Sequence, residues 1–126
     1  GSSQLKRLSS FVNRRRTISN RYIEEIVNPN VTCLNELEYG QSSYHLFPVL
    51  LKSKENRLCL YNRLLEKGIK TQVHYIPIYK QPFYKKVKGS WPNSDEFYDR
   101  VLSLPIFVDL DYPIQKEVLK IINDIE

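Results

Sequence analysis

Apolar residues recur at three- to four-residue spacing along the first quarter of the chain, which predicts a long helix over residues 4 to about 27. Its apolar stripe would consist of Leu5, Leu8, Val12, Ile18, Tyr22 and Ile26. Pro29 predicts the end of the helix, because proline disfavours a helical conformation in the residue before it. No N-cap residue precedes the pattern, so we expect the helix to continue from a segment upstream.

Two strands are predicted next, over residues 31–37 and 43–51, and we expect them to pair antiparallel. The second is the stronger prediction, because it is rich in aromatic and β-branched side chains. Pro48 indicates an edge position or a bulge there, since proline lacks the N–H that a central ladder uses. A third strand is predicted over residues 69–75.

A second helix is predicted over residues 54–67, with Ser53 as its N-cap. Its apolar stripe would consist of Leu58, Tyr61 and Leu65, broadened by Leu64. Gly68 suits the left-handed position just past the helix end, and Ile69 can then fold back on Leu64. This combination predicts a Schellman stop followed directly by the third strand.

The last third of the chain predicts an ordered loop over residues 76–82, a short helical turn over residues 83–87 and two helices. Ser94 would cap the first of these helices, which extends to about residue 102. Its inward positions would be Phe97, Val101 and Leu102. Pro113 suits the first turn of the final helix. The buried stripe of that helix would be Ile114, Val118, Ile122 and Ile125.

These elements predict one α+β domain over residues 1–126, with helices packed on a small, largely antiparallel sheet. Hydrophobic residues make up 41% and charged residues 26%, as in ordinary soluble domains. No apolar run approaches the roughly 20 residues of a membrane span, and no signal sequence is recognisable. We therefore expect a cytoplasmic protein with no membrane partner. Cys33 and Cys59 match no zinc or redox spacing, which predicts two free, partly buried thiols.

The formal net charge of +5 raises the alternative of a stand-alone nucleic-acid-binding module. The cations cluster in two places, at Lys6, Arg7, Arg14, Arg15, Arg16 and Arg21 and at Lys80, Lys85, Lys86 and Lys88. No base-reading motif accompanies them. A solvated helix face, or a site for an anionic small molecule, accounts for the cations equally well, so we expect no nucleic-acid partner.

Self-contained catalytic chemistry is not evident in the residues. His45 and His74 have no serine or cysteine partner in a recognisable setting, and two histidines at this separation match no metal motif. Four glycines form no phosphate-binding loop. Asp109 and Asp111 are expected to help start the last helix near its positive end. We therefore predict no catalytic, cofactor-binding or metal-binding residue in this chain.

The most unusual segment is residues 71–84, which holds one of two histidines, three of nine tyrosines and two of seven prolines. Helices do not tolerate that density of proline, and strands accept it only at edges or bulges. A rigid, aromatic segment with polar tips is typical of a surface that displays side chains to a ligand or a partner.

Five short motifs, in order along the chain, resemble those of the DegT family of pyridoxal-phosphate-dependent sugar-nucleotide aminotransferases. The family patterns are G-x-x-Q-L-x-x-L, S-x-H-x-[FY], L-x-x-x-G-I-x-T-x-V-H-Y-x-P-[IL], Q-P-x-Y and S-L-P before a terminal helix. The matching segments are residues 1–8, 43–48, 65–78, 81–84 and 103–105. Tyr79 stands where many members have histidine, which resembles the branch that makes UDP-4-amino-4,6-dideoxy-N-acetyl-altrosamine on the route to pseudaminic acid.

The resemblance implies that the chain is the small C-terminal domain of a fold-type-I aminotransferase. The large domain, with the Schiff-base lysine and the other pyridoxal phosphate contacts, would lie upstream, so no cofactor is expected on this chain and the isolated chain should be inactive. The whole enzyme would transfer an amino group from an amino acid, expected to be glutamate, to a 4-keto-6-deoxy nucleotide sugar. It would act as a homodimer.

The resemblance also implies that this chain supplies a wall of the nucleotide-sugar site. The candidate substrate-binding residues are His74, Tyr75 and Tyr79, with His45 and Tyr84 behind them. Lysines near the segment could meet the diphosphate. An equally weighted alternative is that His74 and Tyr75 brace a domain interface. A protein-interaction module is a further alternative, for which we expect an exposed apolar patch and self-association.

Overall fold

The computed structural model describes residues 2–34 and 36–126. The elements in chain order are α1 (Ser2–Glu25), β1 (Val31–Cys33), β2 (Phe47–Leu51), α2 (Lys54–Glu66), α3 (Pro92–Arg100), β3 (Val101–Leu104) and α4 (Tyr112–Asp124). Two 3-10 turns, Ile78–Lys80 and Pro82–Tyr84, lie between α2 and α3. The predicted α+β class, with helices on a small antiparallel sheet, is confirmed.

The sheet has the order β1-β2-β3, and both pairs of neighbouring strands are antiparallel. The predicted pairing of the first two strands is confirmed, although both are shorter than predicted. Pro48 predicted an edge strand or a bulge, whereas β2 is the central strand of the sheet. Since β1 pairs only with residues 49–51 of β2, Pro48 has a neighbouring strand on the β3 side alone.

The third strand is Val101–Leu104, whereas we predicted a strand over residues 69–75 and a helix to about residue 102. Residues 69–75 contribute a single bridge, from Gln72 to Ser103. All four residues of β3 are buried. The strand therefore lacks the alternation of apolar and polar residues by which a sequence distinguishes a strand from the end of a helix. The helix before it runs over Pro92–Arg100, and Phe97 is exposed rather than inward.

The core lies between the sheet and the helices, and α1 enters it only with its second half. Ile18 and Tyr22 are fully buried, whereas Leu5 is 69% and Leu8 54% exposed. The predicted stripe of α1 is therefore wrong for the first half of the helix. Along α4 the predicted stripe is correct except at Ile114, which is exposed.

The ends of α2 follow the prediction closely. The Ser53 hydroxyl accepts a hydrogen bond from the Asn56 amide at 3.1 Å. Gly68 has φ +73°, and the Ile69 amide donates to the Leu64 carbonyl at 2.9 Å, which completes the Schellman stop.

The face that α2 buries differs from the predicted one. Leu60 and Leu64 are fully buried, while Leu58 is 42% and Leu65 46% exposed. The predicted stripe through Leu58 and Leu65 is therefore wrong. The helix turns the adjacent face, which carries Leu60 and Leu64, toward the core. A short apolar pattern alone does not define which of two adjacent faces is buried.

The cysteines are both free, as predicted, but only Cys33 is partly buried, because Cys59 lies on the exposed side of α2. Within the described ranges, no helix combines the length and apolar character that crossing a bilayer requires.

Candidate functional site

Residues 71–84 form an irregular segment with two 3-10 turns, which agrees with the loop predicted over residues 76–82 but not with the strand predicted over residues 69–75. At its start the Ser103 amide donates to the Gln72 carbonyl at 2.8 Å, which attaches the segment to the edge of the sheet. Further on, the Lys80 amide donates to the Pro77 carbonyl at 2.9 Å within the first 3-10 turn. The peptide bond between His74 and Tyr75 is cis.

His74 is held against the sheet by its side chain. Its Nδ1 lies 2.9 Å from the hydroxyl oxygen of Ser103, which is 95% buried on β3. The Tyr75 ring meets the His74 ring edge-on at 4.7 Å between centroids, yet Tyr75 remains 70% exposed. The His74 imidazole is therefore fixed in place, whereas the Tyr75 side chain beside it is accessible to a ligand or to another domain.

His45 and His74 line one cavity of about 180 Å³, although they lie 29 positions apart in sequence. Ser103 and Thr71 also line it, and the buried Thr71 hydroxyl oxygen has no hydrogen-bond partner in the described part of the chain. The loop that carries His45 is tied to α1, because Arg15 donates to the His45 carbonyl at 3.2 Å. The cavity is small and is lined by polar and apolar side chains alike, and its polar groups suit hydrogen bonding to a hydroxylated ligand.

Tyr79 lies in a second cluster, which the sequence did not predict. Its hydroxyl donates to the Asp95 carboxylate at 2.6 Å, and its ring stacks on Trp91 at 4.3 Å. The Lys80 ammonium lies 2.5 Å from the same carboxylate. Tyr79 is thus engaged with the start of α3, and it does not line the histidine cavity.

The pKa shifts of Tyr79, Lys80 and Asp95 all favour the same ionisation state of the cluster. Loss of solvation and the hydrogen bond to Asp95 raise the pKa of Tyr79. The same carboxylate raises the pKa of Lys80, and Lys80 and Tyr79 in turn lower the pKa of Asp95. All three groups therefore keep their ordinary ionisation near neutral pH, and Lys80 already has a carboxylate partner.

Tyr84 is apart from both histidines. Its ring contacts Phe83 edge-on at 5.1 Å, and it does not line the histidine cavity. Several apolar side chains of this region are solvent-exposed, namely Tyr75, Ile76, Ile78, Phe83 and Val87. Such a run is typical of a surface that meets another protein part, which agrees with the interaction patch that we expected.

Four arginines of α1, namely Arg14, Arg15, Arg16 and Arg21, contact other parts of the fold, whereas Arg7 is exposed, so a solvated face describes the cluster only in part. Arg14 donates to the Leu110 carbonyl at 2.8 Å, and Arg21 donates to the Gln115 side chain at 3.0 Å. Arg16 pairs with Glu36 at 3.1 Å. Cations that hold the fold in this way are less available to phosphates, which weakens the nucleic-acid alternative.

Sequence reasoning gave no role to Ser103, Asp95 or Trp91, which orient His74 and Tyr79. Ser103 lies in the S-L-P motif, so the sequence did contain a pattern that could have identified it. Asp95 is 16 positions from Tyr79, and no local pattern links the two. Trp91 directly precedes α3 and stacks on the Tyr79 ring.

The described residues do not fit a complete pyridoxal phosphate site. Lys70 lines the histidine cavity, but no carboxylate lines it to pair with a pyridine nitrogen. Across residues 2–34 and 36–126, no group of three or more His, Cys, Asp or Glu side chains is placed to hold a metal ion.

The fold is that of the C-terminal part of sugar aminotransferases. The aminotransferase TlmJ of Streptoalloteichus hindustanus superposes with a TM-score of 0.89 at 30% identity, covering 98% of this chain and 34% of that one. PseC of Helicobacter pylori, an aminotransferase involved in the biosynthesis of pseudoaminic acid, superposes with a TM-score of 0.85 at 28% identity, covering 97% and 34%.

The sequence comparisons identify the family. Residues 1–123 match the DegT/DnrJ/EryC1/StrS aminotransferase family, and the chain belongs to it. It is 38% identical over 119 residues to the UDP-4-amino-4,6-dideoxy-N-acetyl-beta-L-altrosamine transaminase of Campylobacter jejuni, covering 88% of this chain and 31% of that protein. It is 29% identical to the spore coat polysaccharide biosynthesis protein SpsC of Bacillus subtilis, covering 99% and 34%. The chain thus spans about a third of the length of these relatives.

Proposed function

We propose that residues 1–126 form the small C-terminal domain of a pyridoxal-phosphate-dependent aminotransferase. The whole enzyme would transfer an amino group from glutamate to a UDP-linked 4-keto-6-deoxy amino sugar on the route to pseudaminic acid. The observation that carries this proposal is the 38% identity to the Campylobacter jejuni transaminase over 88% of the chain. The whole enzyme would be a cytoplasmic homodimer without a nucleic-acid partner.

In this proposal His74, Tyr75 and His45 form the part of the wall that touches the sugar. The cavity that the two histidines share, and the accessibility of Tyr75, support this role. Tyr79, whose hydroxyl is bound to Asp95, would meet the substrate with its ring edge and hold the segment in place. Tyr84 would contribute at the outer margin of the site.

The cofactor would be held by the rest of the enzyme, a proposal supported by the absence of a complete site among residues 2–34 and 36–126. Pyridoxal phosphate supplies the electron sink for amino transfer when it is bound. The task of this domain is then to bind and orient the nucleotide sugar and to exclude water from one side of it. Lys85, Lys86 and Lys88 lie on exposed positions near the segment and would face the diphosphate.

The proposal is tested in the full-length enzyme by measuring 2-oxoglutarate released from glutamate with the 4-keto nucleotide sugar as acceptor. We expect His74→Gln and Tyr75→Phe to raise the KM for the sugar by about tenfold, the effect of roughly 1.4 kcal/mol of lost binding. Tyr39→Phe is the matched control, because Tyr39 is 89% exposed and lies outside the segment. Absence of amino transfer in the full-length protein would refute the proposed activity.

The isolated chain provides a second test. It should bind no pyridoxal phosphate, show no aldimine absorbance and catalyse no amino transfer. A 126-residue chain that turned over with the cofactor attached to one of its lysines would contradict the assignment of the cofactor site to another part of the enzyme.

A further inference from the structure

The hydroxyl of Ser103 has a restricted choice of partners. Ser103 pairs with Pro48 of β2 on one side and bridges to Gln72 on the other. Its side chain is buried, and His74 Nδ1, at 2.9 Å, is its hydrogen-bond partner among the described residues. No further acceptor for this hydroxyl is found in residues 2–34 and 36–126.

This environment decides which of the two groups donates. If Nδ1–H donated to the serine oxygen, the serine O–H would have no protein acceptor among residues 2–34 and 36–126. A buried donor without a partner costs about 1–3 kcal/mol, whereas an unused lone pair on a hydroxyl oxygen costs little. The serine O–H therefore donates to Nδ1, and the proton of the neutral imidazole is on Nε2.

We propose that Ser103 is a positioning residue that holds neutral His74 in the Nε2–H form, so that His74 presents a hydrogen-bond donor to the ligand. Among residues 2–34 and 36–126, Nε2 has no hydrogen-bond partner, and His74 lines both the 180 Å³ cavity and a neighbouring cavity of about 390 Å³. The group that His74 recognises is then an oxygen acceptor, such as a sugar hydroxyl or carbonyl oxygen. This last step rests on the proposed function, whereas the proton position does not.

The proton position can be measured directly because the chain contains only two histidines. In alkaline buffer, where imidazole is neutral, long-range ¹H–¹⁵N correlation spectra of ¹⁵N-histidine-labelled chain distinguish a protonated from an unprotonated ring nitrogen. We expect His74 to show an unprotonated Nδ1 and a protonated Nε2. His74→Gln assigns the signals, and His45 serves as the internal reference.

The matched variants separate the hydrogen bond from a general effect on packing. Ser103→Ala should shift His74 to a mixture of the two forms, and Ser103→Thr, which keeps the hydroxyl, should restore the Nε2–H form. Ser43→Ala, at an exposed position, should change nothing. Backbone amide spectra verify that each variant is folded.

Two results would overturn the proposal: a wild-type His74 with its proton on Nδ1, or a folded Ser103→Ala chain whose His74 spectrum is unchanged. In the full-length enzyme, Ser103→Ala should raise the KM for the sugar several-fold while kcat changes little, and Ser103→Thr should recover it. If the enzyme proves not to be an aminotransferase, the spectra still decide the proton position, so the two failures are distinguishable.

Discussion

Tyr22 attaches α1 to the rest of the fold both by packing and by a hydrogen bond, and its replacement gives the sharpest stability prediction. Its side chain is fully buried and contacts the Phe47 ring at 5.0 Å between centroids. Its hydroxyl donates to the Pro105 carbonyl at 2.8 Å, just after β3. Tyr22→Phe removes only the hydroxyl, so the ring packing is retained.

The expected loss follows from that geometry. Without the hydroxyl the Pro105 carbonyl loses its donor in a partly buried position, which costs about 1–3 kcal/mol of unfolding free energy. Tyr22→Ala also removes the ring from the core and should cost about 3–5 kcal/mol. A loss of 2 kcal/mol moves the urea midpoint by roughly 1 M for a domain of this size.

Urea unfolding followed by far-ultraviolet circular dichroism measures these losses. Tyr39→Phe is the control, since Tyr39 is 89% exposed, and it should change the unfolding free energy by less than about 0.5 kcal/mol. A Tyr22→Phe chain as stable as the Tyr39→Phe chain would refute the inference that the bond to Pro105 stabilises the attachment of α1.

The pH dependence provides an independent measurement on the same residue. Burial raises the pKa of Tyr22 well above its ordinary value. An unfolded tyrosine ionises near about pH 10, so the stability that Tyr22 contributes as a neutral group is fully present below that pH. It is lost as the pH rises further, by about 1.4 kcal/mol per unit, because only the unfolded chain releases the proton. The advantage of the wild type over Tyr22→Phe should therefore shrink above about pH 10.

Three further predictions test local features. Asp95→Asn should lower the pKa of Tyr79 part of the way toward its ordinary value, because loss of solvation still raises it but the carboxylate that adds to this effect is gone, and ultraviolet titration at the tyrosinate band measures the change. Asp111→Ala should cost about 1 kcal/mol, since the Asp111 carboxylate accepts from the Ile114 amide at 3.0 Å as the N-cap of α4, whereas Asp109→Ala should be nearly neutral in urea unfolding. Gly68→Ala should lower the thermal midpoint by the equivalent of about 1–2 kcal/mol, because φ is +73° and an added Cβ meets nothing that could compensate.

The sequence alone determined the features that depend on local chemistry. The N-cap at Ser53, the left-handed stop at Gly68 and the acidic start of α4 at Asp111 all lie where they were predicted. Each depends on one side chain or one φ angle acting within a few residues, so the local sequence suffices to predict it. The family resemblance also came from short motifs, and the match over residues 1–123 confirmed it.

Tertiary structure alone decided which segments meet. The buried strand Val101–Leu104 has no alternation by which the sequence could show it, and its position depends on β2 and on Gln72. The histidine cavity exists because β3 brings Ser103 next to His74 while Arg15 holds the loop of His45. These contacts join residues about 30 positions apart, and their energy is gained only when the chain has folded, so no local pattern encodes them.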